Sequence, residues 1–465
     1  MTFPSRRRAT ATARGTLVVG LVNDWVGDRD TPFQMGLLAV FDPGPFARDD
    51  GSVDLPRVAH EFADRAAGIP TLRRRVIWTL PGEGRPAWVV DPSDDPVGHV
   101  AAARVPEGVD LATWAANRSV VPLDRDRTMW RADVLDGLPG GRFAVLLVVH
   151  HVLVDGLAGM RLLATLLDPS PDATREEGPR PGPQPPPSHR ELVLDRLSAM
   201  GRPPRDGPDR ARPARPGPRR AVAQYRSAMA DFAAPIARTS LPRHVGPTRR
   251  MTVVTAVLEP LRSAGHRHGA TVNDLVLAAV ARGLRELLTA RGECHESLSV
   301  RTILPVATDG SGQATAMMVV DLPVGSADPA RRLAAVVQQT TARKARLRAA
   351  GPTRPNEALT LPLPVARVVI PWARRRGSAK IHLSVTNVPG PRTTLWFKGA
   401  RMVDAVPVPP LVPLVGLTVA ALSYDGRLCV AVNADGGVDD LGLLAAGIAA
   451  SFADLGADVA RGILD

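Results

Sequence analysis

The chain has 465 residues, 45% of them hydrophobic, 22% charged and 4% aromatic, with a formal net charge of +12. That length carries two domains or subdomains around a sizeable core, and the apolar fraction excludes a wholly disordered polymer. Two cysteines, Cys294 and Cys429, are too few for a disulfide framework or a zinc cluster and suit a reducing compartment, and no apolar run reaches the roughly 20 residues of a membrane span.

Residues 1–15 carry four arginines and no acid ahead of a short apolar stretch, Thr16 to Val22, which meets Asn23 and Asp24 too soon for a secretory signal. Phe33 to Phe41 reads as a strand and Val58 to Ala67 as a helix. Phe143 to Val149 is a continuous apolar run, the pattern of a strand buried on both faces. It leads straight into His150 and His151. Asp155 and Gly156 follow, and Leu157, Met160, Leu162, Leu163 and Leu166 mark a helix.

Residues 169–220 hold fourteen of the 45 prolines. Proline fixes φ and supplies no backbone donor, so this stretch is expected to be an exposed, semi-extended linker, with a short helical island over Arg190 to Met200. It divides the chain into 1–167, 168–220 and 221–465. Beyond it, strands are expected at Met251 to Leu258, Leu298 to Val306, Ala316 to Leu322, Ile381 to Thr386, Leu417 to Leu422 and Leu428 to Val432. The Asp-Gly pair in Tyr424-Asp425-Gly426-Arg427 joins the last two as a hairpin. Helices fit Val272 to Leu288, opening near Thr271, then Pro329 to Ala349 and Leu441 to Leu464. Strands mixed with helices in both halves indicate an α/β (α+β) layered fold.

The positive charge is not spread evenly. Besides the four arginines of the arm, residues 168–250 hold sixteen arginines against nine acidic residues, so nearly the whole excess lies outside the histidine-bearing body. With few aromatics and no nucleic-acid-binding motif, no nucleic-acid partner is expected. The segment Leu359 to Arg376 joins apolar residues to Arg367, Arg374, Arg375 and Arg376. It reads equally as an interfacial anchor or as a core segment followed by a solvated basic turn.

His150-His151-Val152-Leu153-Val154-Asp155-Gly156 is the sharpest chemical signal. Adjacent residues at a strand end point to opposite faces, so one imidazole can enter a cleft while the other packs or holds the loop. A neutral imidazole, with an ordinary pKa of about 6.5, can take a proton from a hydroxyl or amine. Asp155 is placed to brace the loop, or to cap the following helix, and Gly156 permits a turn that a Cβ would obstruct. No Gly-x-Ser-x-Gly elbow is present, and only Cys294 has a histidine beside it in sequence, His295. No nucleophile for an acyl-enzyme stands out.

The motif resembles the HHxxxDG site of the acyl-CoA-dependent acyltransferase superfamily, which includes chloramphenicol acetyltransferase and peptide-synthetase condensation domains. More of the chain is similar to one branch, the bacterial wax ester synthase/diacylglycerol acyltransferase family. The matching segments are Pro32 to Phe41, Pro122-Leu123-Asp124-Arg125 with Trp130, Val272 to Ala278 with its Asn273-Asp274 pair, Asn387-Val388-Pro389-Gly390-Pro391, and Ser423-Tyr424-Asp425-Gly426. The chain departs from that pattern in three places. Phe33-Gln34 stands where the family has Met-His, Thr128-Met129 stands where it has Pro-Leu before the tryptophan, and the opening near Leu21 to Trp25 lacks Leu-Ser-Pro. All three lie outside the histidine motif and bear on acceptor choice more than on reaction type.

The resemblance implies two chloramphenicol-acetyltransferase-like subdomains with mixed sheets flanked by helices and an active-site tunnel at their interface. It implies His151 as the general base, with His150, Asp155 and Gly156 in support and Asn273 and Asp274 contributing to the shape or polarity of the site. Helix capping explains Asn273-Asp274 equally well, Asn387 to Pro391 reads as a turn, and Trp130 reads as core. The implied reaction moves a long-chain acyl group from acyl-CoA to a long-chain alcohol or diacylglycerol, with acyl-CoA as co-substrate and neither cofactor nor metal. A glycolipid or amine acceptor, or a catalytically silent lipid-binding role, are the alternatives. A cytoplasmic protein touching the inner membrane face or lipid bodies peripherally is expected.

Overall fold

A computed structural model describes residues 31–77, 87–91, 94–154, 156–173, 188, 190, 191, 193, 194, 235–307, 315–350, 376 and 378–463. The amino-terminal arm, Asp155, most of the linker and all of the basic apolar segment except Arg376 lie outside the described residues. Within the linker's expected helical island, Arg190, Glu191, Val193 and Leu194 are helical.

Two sheets carry the fold. The strands in chain order are β1 (Gln34–Phe41), β2 (Arg74–Ile77), β3 (Ala87–Val90), β4 (Val100–Ala102), β5 (Trp130–Leu138), β6 (Arg142–His150), β7 (Arg249–Val257), β8 (Val300–Ala307) and β9 (Thr315–Leu322). They continue with β10 (Leu383–Pro389), β11 (Trp396–Phe397), β12 (Ala400–Val408), β13 (Leu417–Tyr424), β14 (Arg427–Asp435) and β15 (Val459–Arg461). One sheet runs β11-β12-β1-β6-β5-β4 and the other β15-β7-β14-β13-β10-β8-β9, with β2 and β3 forming a small ribbon. Both large sheets are mixed: β4 is parallel to β5, and β10 is parallel to β13 and β8, among otherwise antiparallel pairs.

The unbroken apolar run of β6 is explained by burial on both faces. Phe143, Val145, Leu147 and Val149 pack with Val58 and Phe62 of the helix Leu55–Ala67 and with Leu162, Leu163 and Leu166 of the helix Gly156–Leu166. Ala144, Leu146 and Val148 face the other way, into a core shared with Met251 and Val253 of β7, Cys429 and Ala431 of β14, and the helix Leu111–Ser119. This second core holds the two sheets together. The same helix closes a free stretch of strand edge, because Asn117 bonds the Arg249 backbone in both directions at 2.8 Å and Thr113 accepts from the Met251 N–H at 3.2 Å.

The late strands do not stay with their own half. β11 and β12 join the six-stranded sheet, where β12 pairs antiparallel with β1. Prolines hid β12 in the sequence. Pro407 lies in register with Leu37, whereas β11 covers only Ala400 and Arg401, and Leu395 and Tyr424 reach Met402. Among the described residues no strand therefore pairs with the outer side of β12 at Pro407, where a missing donor is tolerated. Tyr424, at the end of β13, crosses the same boundary: its hydroxyl donates to the Met402 carbonyl and accepts from the Leu395 N–H, both at 2.9 Å. Burial pushes its phenol up to about 12.

The seven-stranded sheet is backed by the helices Val272–Ala290, Pro329–Ala350 and Leu441–Ala453. The first and last cross at a glycine pair, where a Cβ on Gly283 would lie 2.4 Å from the Leu444 carbonyl oxygen and one on Gly447 would lie 2.6 Å from the Gly283 Cα. The terminal helix is shorter than its composition suggests. It ends at Ala453, Gly456 turns the chain at φ +81°, and β15 returns to cover part of the β7 edge. At the β13–β14 hairpin, Asp425 (φ +44°) and Gly426 (φ +77°) both adopt the left-handed conformation that an Asp-Gly turn is suited to. Among the described residues no helix is long and apolar enough to cross a membrane.

Candidate active site

The two histidines close β6 and are used differently. His150 is 1% exposed, pairs in register with Gln34 of β1, and donates its backbone N–H to the Met129 carbonyl at 3.0 Å. Its carbonyl accepts from Leu153 at 2.9 Å, and its ring Nδ1 accepts the Val152 N–H at 3.2 Å. A nitrogen that accepts carries no proton, so a neutral His150 holds its proton on Nε2. The first histidine therefore ties the strand end to the turn beyond it.

His151 is only half-buried. Its N–H donates to the Phe33 carbonyl at 2.9 Å, and its ring stacks on the Phe33 ring with centroids 4.5 Å apart and planes 17° from parallel. Phe33 thus meets both the backbone and the ring of His151, and it is one of the two residues that replace the family's Met-His pair. A stacked, partly accessible imidazole at a strand end is equipped to exchange a proton.

The other replacement, Gln34, is 4% exposed and fully engaged. Its Nε2 donates to the Ser119 and Val121 carbonyls at 2.6 and 2.9 Å, and its Oε1 accepts from the Leu123 N–H at 2.8 Å. It stitches the 119–123 turn to the strand that flanks His150. The sequence flagged Phe33 and Gln34 only as departures; their register beside the motif was the missing signal. Asp155 lies outside the described residues, and Gly156 opens the helix Gly156–Leu166.

Asp274 does architectural work. It is 3% exposed and completes a capping box: its Oδ2 accepts from the Thr271 N–H and hydroxyl at 2.8 and 2.6 Å, while Thr271 Oγ1 accepts the Asp274 N–H at 3.3 Å. Its Oδ1 accepts from the Thr340 hydroxyl at 2.7 Å, which ties this helix to Pro329–Ala350. Asn273 is half-buried in the first turn of the same helix. The two later motif segments meet each other. A Cβ on Gly390 would lie 2.1 Å from the Ser423 carbonyl oxygen, the Gly390 N–H donates to Ser423 Oγ at 3.2 Å, and Asp425 donates to the Pro391 carbonyl at 3.0 Å.

Trp130 is core: it is 1% exposed, and its indole donates to the Leu72 carbonyl at 2.9 Å. Among the described residues neither cysteine is hydrogen-bonded to a histidine. Burial pushes the Cys429 thiol well up, and Cys294 contacts Arg285 at 3.3 Å while His295 turns to Ser297 at 3.1 Å.

Comparison with known proteins places this geometry in a family. Residues 20–276 match the model of the wax ester synthase/diacylglycerol acyltransferase catalytic domain, and residues 311–456 match the model of its C-terminal domain. A "Probable diacylglycerol O-acyltransferase" of Mycobacterium tuberculosis is 28% identical over 455 residues, 95% of each chain. A second relative from that organism, also named for diacylglycerol O-acyl transfer, is 30% identical over 393 residues, 74% of this chain and 77% of the relative. In three dimensions the chain is similar to the wax ester synthase/diacylglycerol acyltransferase of Marinobacter aquaeolei VT8, with TM-score 0.68, 22% identity and coverage of 96% and 99%. The same fold appears in the first condensation domain of the calcium-dependent antibiotic synthetase, with TM-score 0.57, 20% identity and coverage of 97% and 96%. With the paired histidines closing β6 and both family domains matched along its length, this chain is an acyltransferase and belongs to the wax ester synthase/diacylglycerol acyltransferase family.

Proposed function

We propose that the protein transfers a long-chain acyl group from acyl-CoA to the hydroxyl of a long-chain alcohol or of diacylglycerol, with His151 as the general base. The observation that carries this reading is the division of labour at the end of β6: His150 is buried and bonded into the turn, whereas His151 is half-buried and stacked on Phe33. His151 takes the hydroxyl proton as the oxygen attacks the thioester carbonyl, and the tetrahedral oxyanion collapses with loss of the coenzyme A thiolate, which recovers the proton from the imidazole. No acyl-enzyme is needed, in keeping with the raised thiol of buried Cys429 and with His295 bonding Ser297. Acyl-CoA and the lipid acceptor are the only small-molecule partners in this scheme. Peripheral contact with an anionic lipid surface would suit the greasy substrates and the arginine-rich arm and linker.

The test is coenzyme A release from palmitoyl-CoA in the presence of hexadecanol, diacylglycerol or neither. Release that needs one of the two acceptors, with formation of the matching ester, is expected. Release at the same rate without an acceptor would make the protein a thioesterase instead.

A further inference from the structure

The segment that enters β5 is held by an unusually complete carboxylate. Asp94 is 8% exposed and gathers four donors from Arg127 and Thr128, with a ring nitrogen of His99 beside them. Its Oδ2 accepts from the Thr128 N–H at 2.9 Å and from the Thr128 hydroxyl at 2.5 Å. Its Oδ1 accepts from Arg127 Nε and Nη2 at 3.0 and 2.7 Å and meets His99 Nε2 at 2.8 Å. His99 in turn donates from Nδ1 to the Trp130 carbonyl at 2.8 Å and stacks on the Trp130 ring at 4.7 Å. Burial alone would raise the Asp94 carboxyl, yet the bonds from His99, Thr128 and Arg127 hold it well below the usual carboxylate range. Arg127, Thr128 and Trp130, on both sides of Met129, are thus held by one side chain and its histidine partner.

Met129 connects this cluster to the histidine loop. Its carbonyl accepts the His150 N–H, and its side chain, 1% exposed, packs with Val152 and Leu153 of the turn that follows His151. The family pattern has Pro-Leu where this chain has Thr128-Met129. Proline fixes φ by its ring and has no N–H, so it could not make the Thr128 bonds. Here the carboxylate does what the ring would otherwise do.

We propose that Asp94 and Thr128 are positioning residues for the acyl transfer: by holding Arg127, Thr128 and, through His99, Trp130 they fix the two flanks of Met129, keep its carbonyl on His150 and its side chain against the Val152–Leu153 turn, and so set where the His151 imidazole stands. The inference rests on His151 being the base. The discriminating variants are Thr128→Val, which keeps the shape and removes the hydroxyl bond, and Thr128→Ser, which keeps both bonds. Misplacement of a catalytic group by about 1 Å costs on the order of 10²-fold, and a partial release about tenfold. Thr128→Val should therefore lower kcat about tenfold per folded molecule, with KM for palmitoyl-CoA unchanged, and Thr128→Ser should restore it. In parallel, the Cε1–H NMR resonances of His150 and His151, assigned from His150→Gln and His151→Gln, should shift in Thr128→Val and not in Thr128→Ser. A kcat loss no larger than the lost folded fraction, a rise in KM instead, or equal behaviour of the Val and Ser variants would overturn the proposal. If the native protein transfers no acyl group, the functional reading falls, and unchanged histidine resonances in Thr128→Val would overturn the clamp by themselves.

Discussion

The histidine end of the six-stranded sheet and the helix layer of the seven-stranded sheet each carry a family motif, but the surroundings of the two are built differently. At the end of β6 the motif is reached by parts remote in sequence: Phe33 under His151, Gln34 in register with His150, and the Met129 carbonyl on the His150 N–H. At the opening of Val272–Ala290, Asp274 is closed off almost locally, by Thr271 three residues away and by Thr340 on the neighbouring helix. The histidine motif leaves one side chain half-buried, whereas the Asp274 motif leaves no carboxylate oxygen without a donor. A residue can belong to a family signature because it performs chemistry or because the fold cannot close without it, and the contrast predicts the first for His151 and the second for Asp274.

The contrast can be broken in order of expected effect. His151→Ala should reduce transfer by about 10² to 10⁴, the usual contribution of a general base, with the thermal midpoint unchanged. Activity retained at the native level in steady-state assays would remove His151 from its role. Gly283→Ala, at the helix crossing, should destabilise by roughly 1–3 kcal/mol through forced separation of the helices, because the obstructing atom is a backbone oxygen. Urea titration reads that loss, and an unchanged midpoint would mean that the crossing is looser than described.

Asp274→Ala should cost about 1 kcal/mol for the lost half of the capping box and about 1 more for the bond from Thr340, whose hydroxyl keeps the Val337 carbonyl at 3.2 Å. Turnover per folded molecule should fall far less than in His151→Ala. If kcat collapses while the denaturation curve stays put, Asp274 serves the reaction after all and the contrast dissolves.

The smallest effect concerns a third histidine. His382 accepts the Arg301 N–H at Nδ1 and donates from Nε2 to the Ala237 carbonyl, at 3.0 and 2.8 Å, and burial, joined by the nearby charges of Arg243 and Arg301, lowers its pKa. The unfolded chain then binds a proton that the folded chain resists. Its stabilising contribution is present above the ordinary histidine pKa of about 6.5 and is lost as pH falls through the depressed folded value. Melting scans between pH 7.5 and pH 5, run on the native protein and on His382→Gln, should show a shallower pH dependence in the variant. Parallel curves would exclude His382 as a contributor to acid lability.

Much of the fold was legible wherever one local rule governed a segment. Phe143 to Val149 announced a doubly buried strand, Thr271 to Asp274 a helix start, and Asp425-Gly426 a tight hairpin, and each is observed. The errors came where a remote partner overrode the local signal. β5 was missed because Arg131, Asp133 and Asp136 break its apolar pattern. Asp133 is nonetheless 1% exposed, held by two bonds from Arg118 at 2.9 and 2.7 Å. β12 is hidden because Pro407 is acceptable only where the strand edge is open, and β15 because its pairing is with the distant edge of β7. In the same way the boundary at 221 could not show that residues 396–408 leave their own half for the other sheet.

From the sequence by itself came the chemistry-bearing heptapeptide, the proline-rich break, the concentration of the net positive excess in the arm and the linker with its flank, and the family resemblance. These are properties of composition and short-range spacing, which a linear string contains in full. Only the tertiary structure decided which histidine is buried and which half-buried, that Asp274 completes a capping box, and that Phe33, Gln34, Thr128 and Met129 converge on one loop. Those outcomes depend on strand register and on which donor reaches which acceptor across distant segments, and one residue of slip in β1 against β6 would put Gln34 on the other face and undo them.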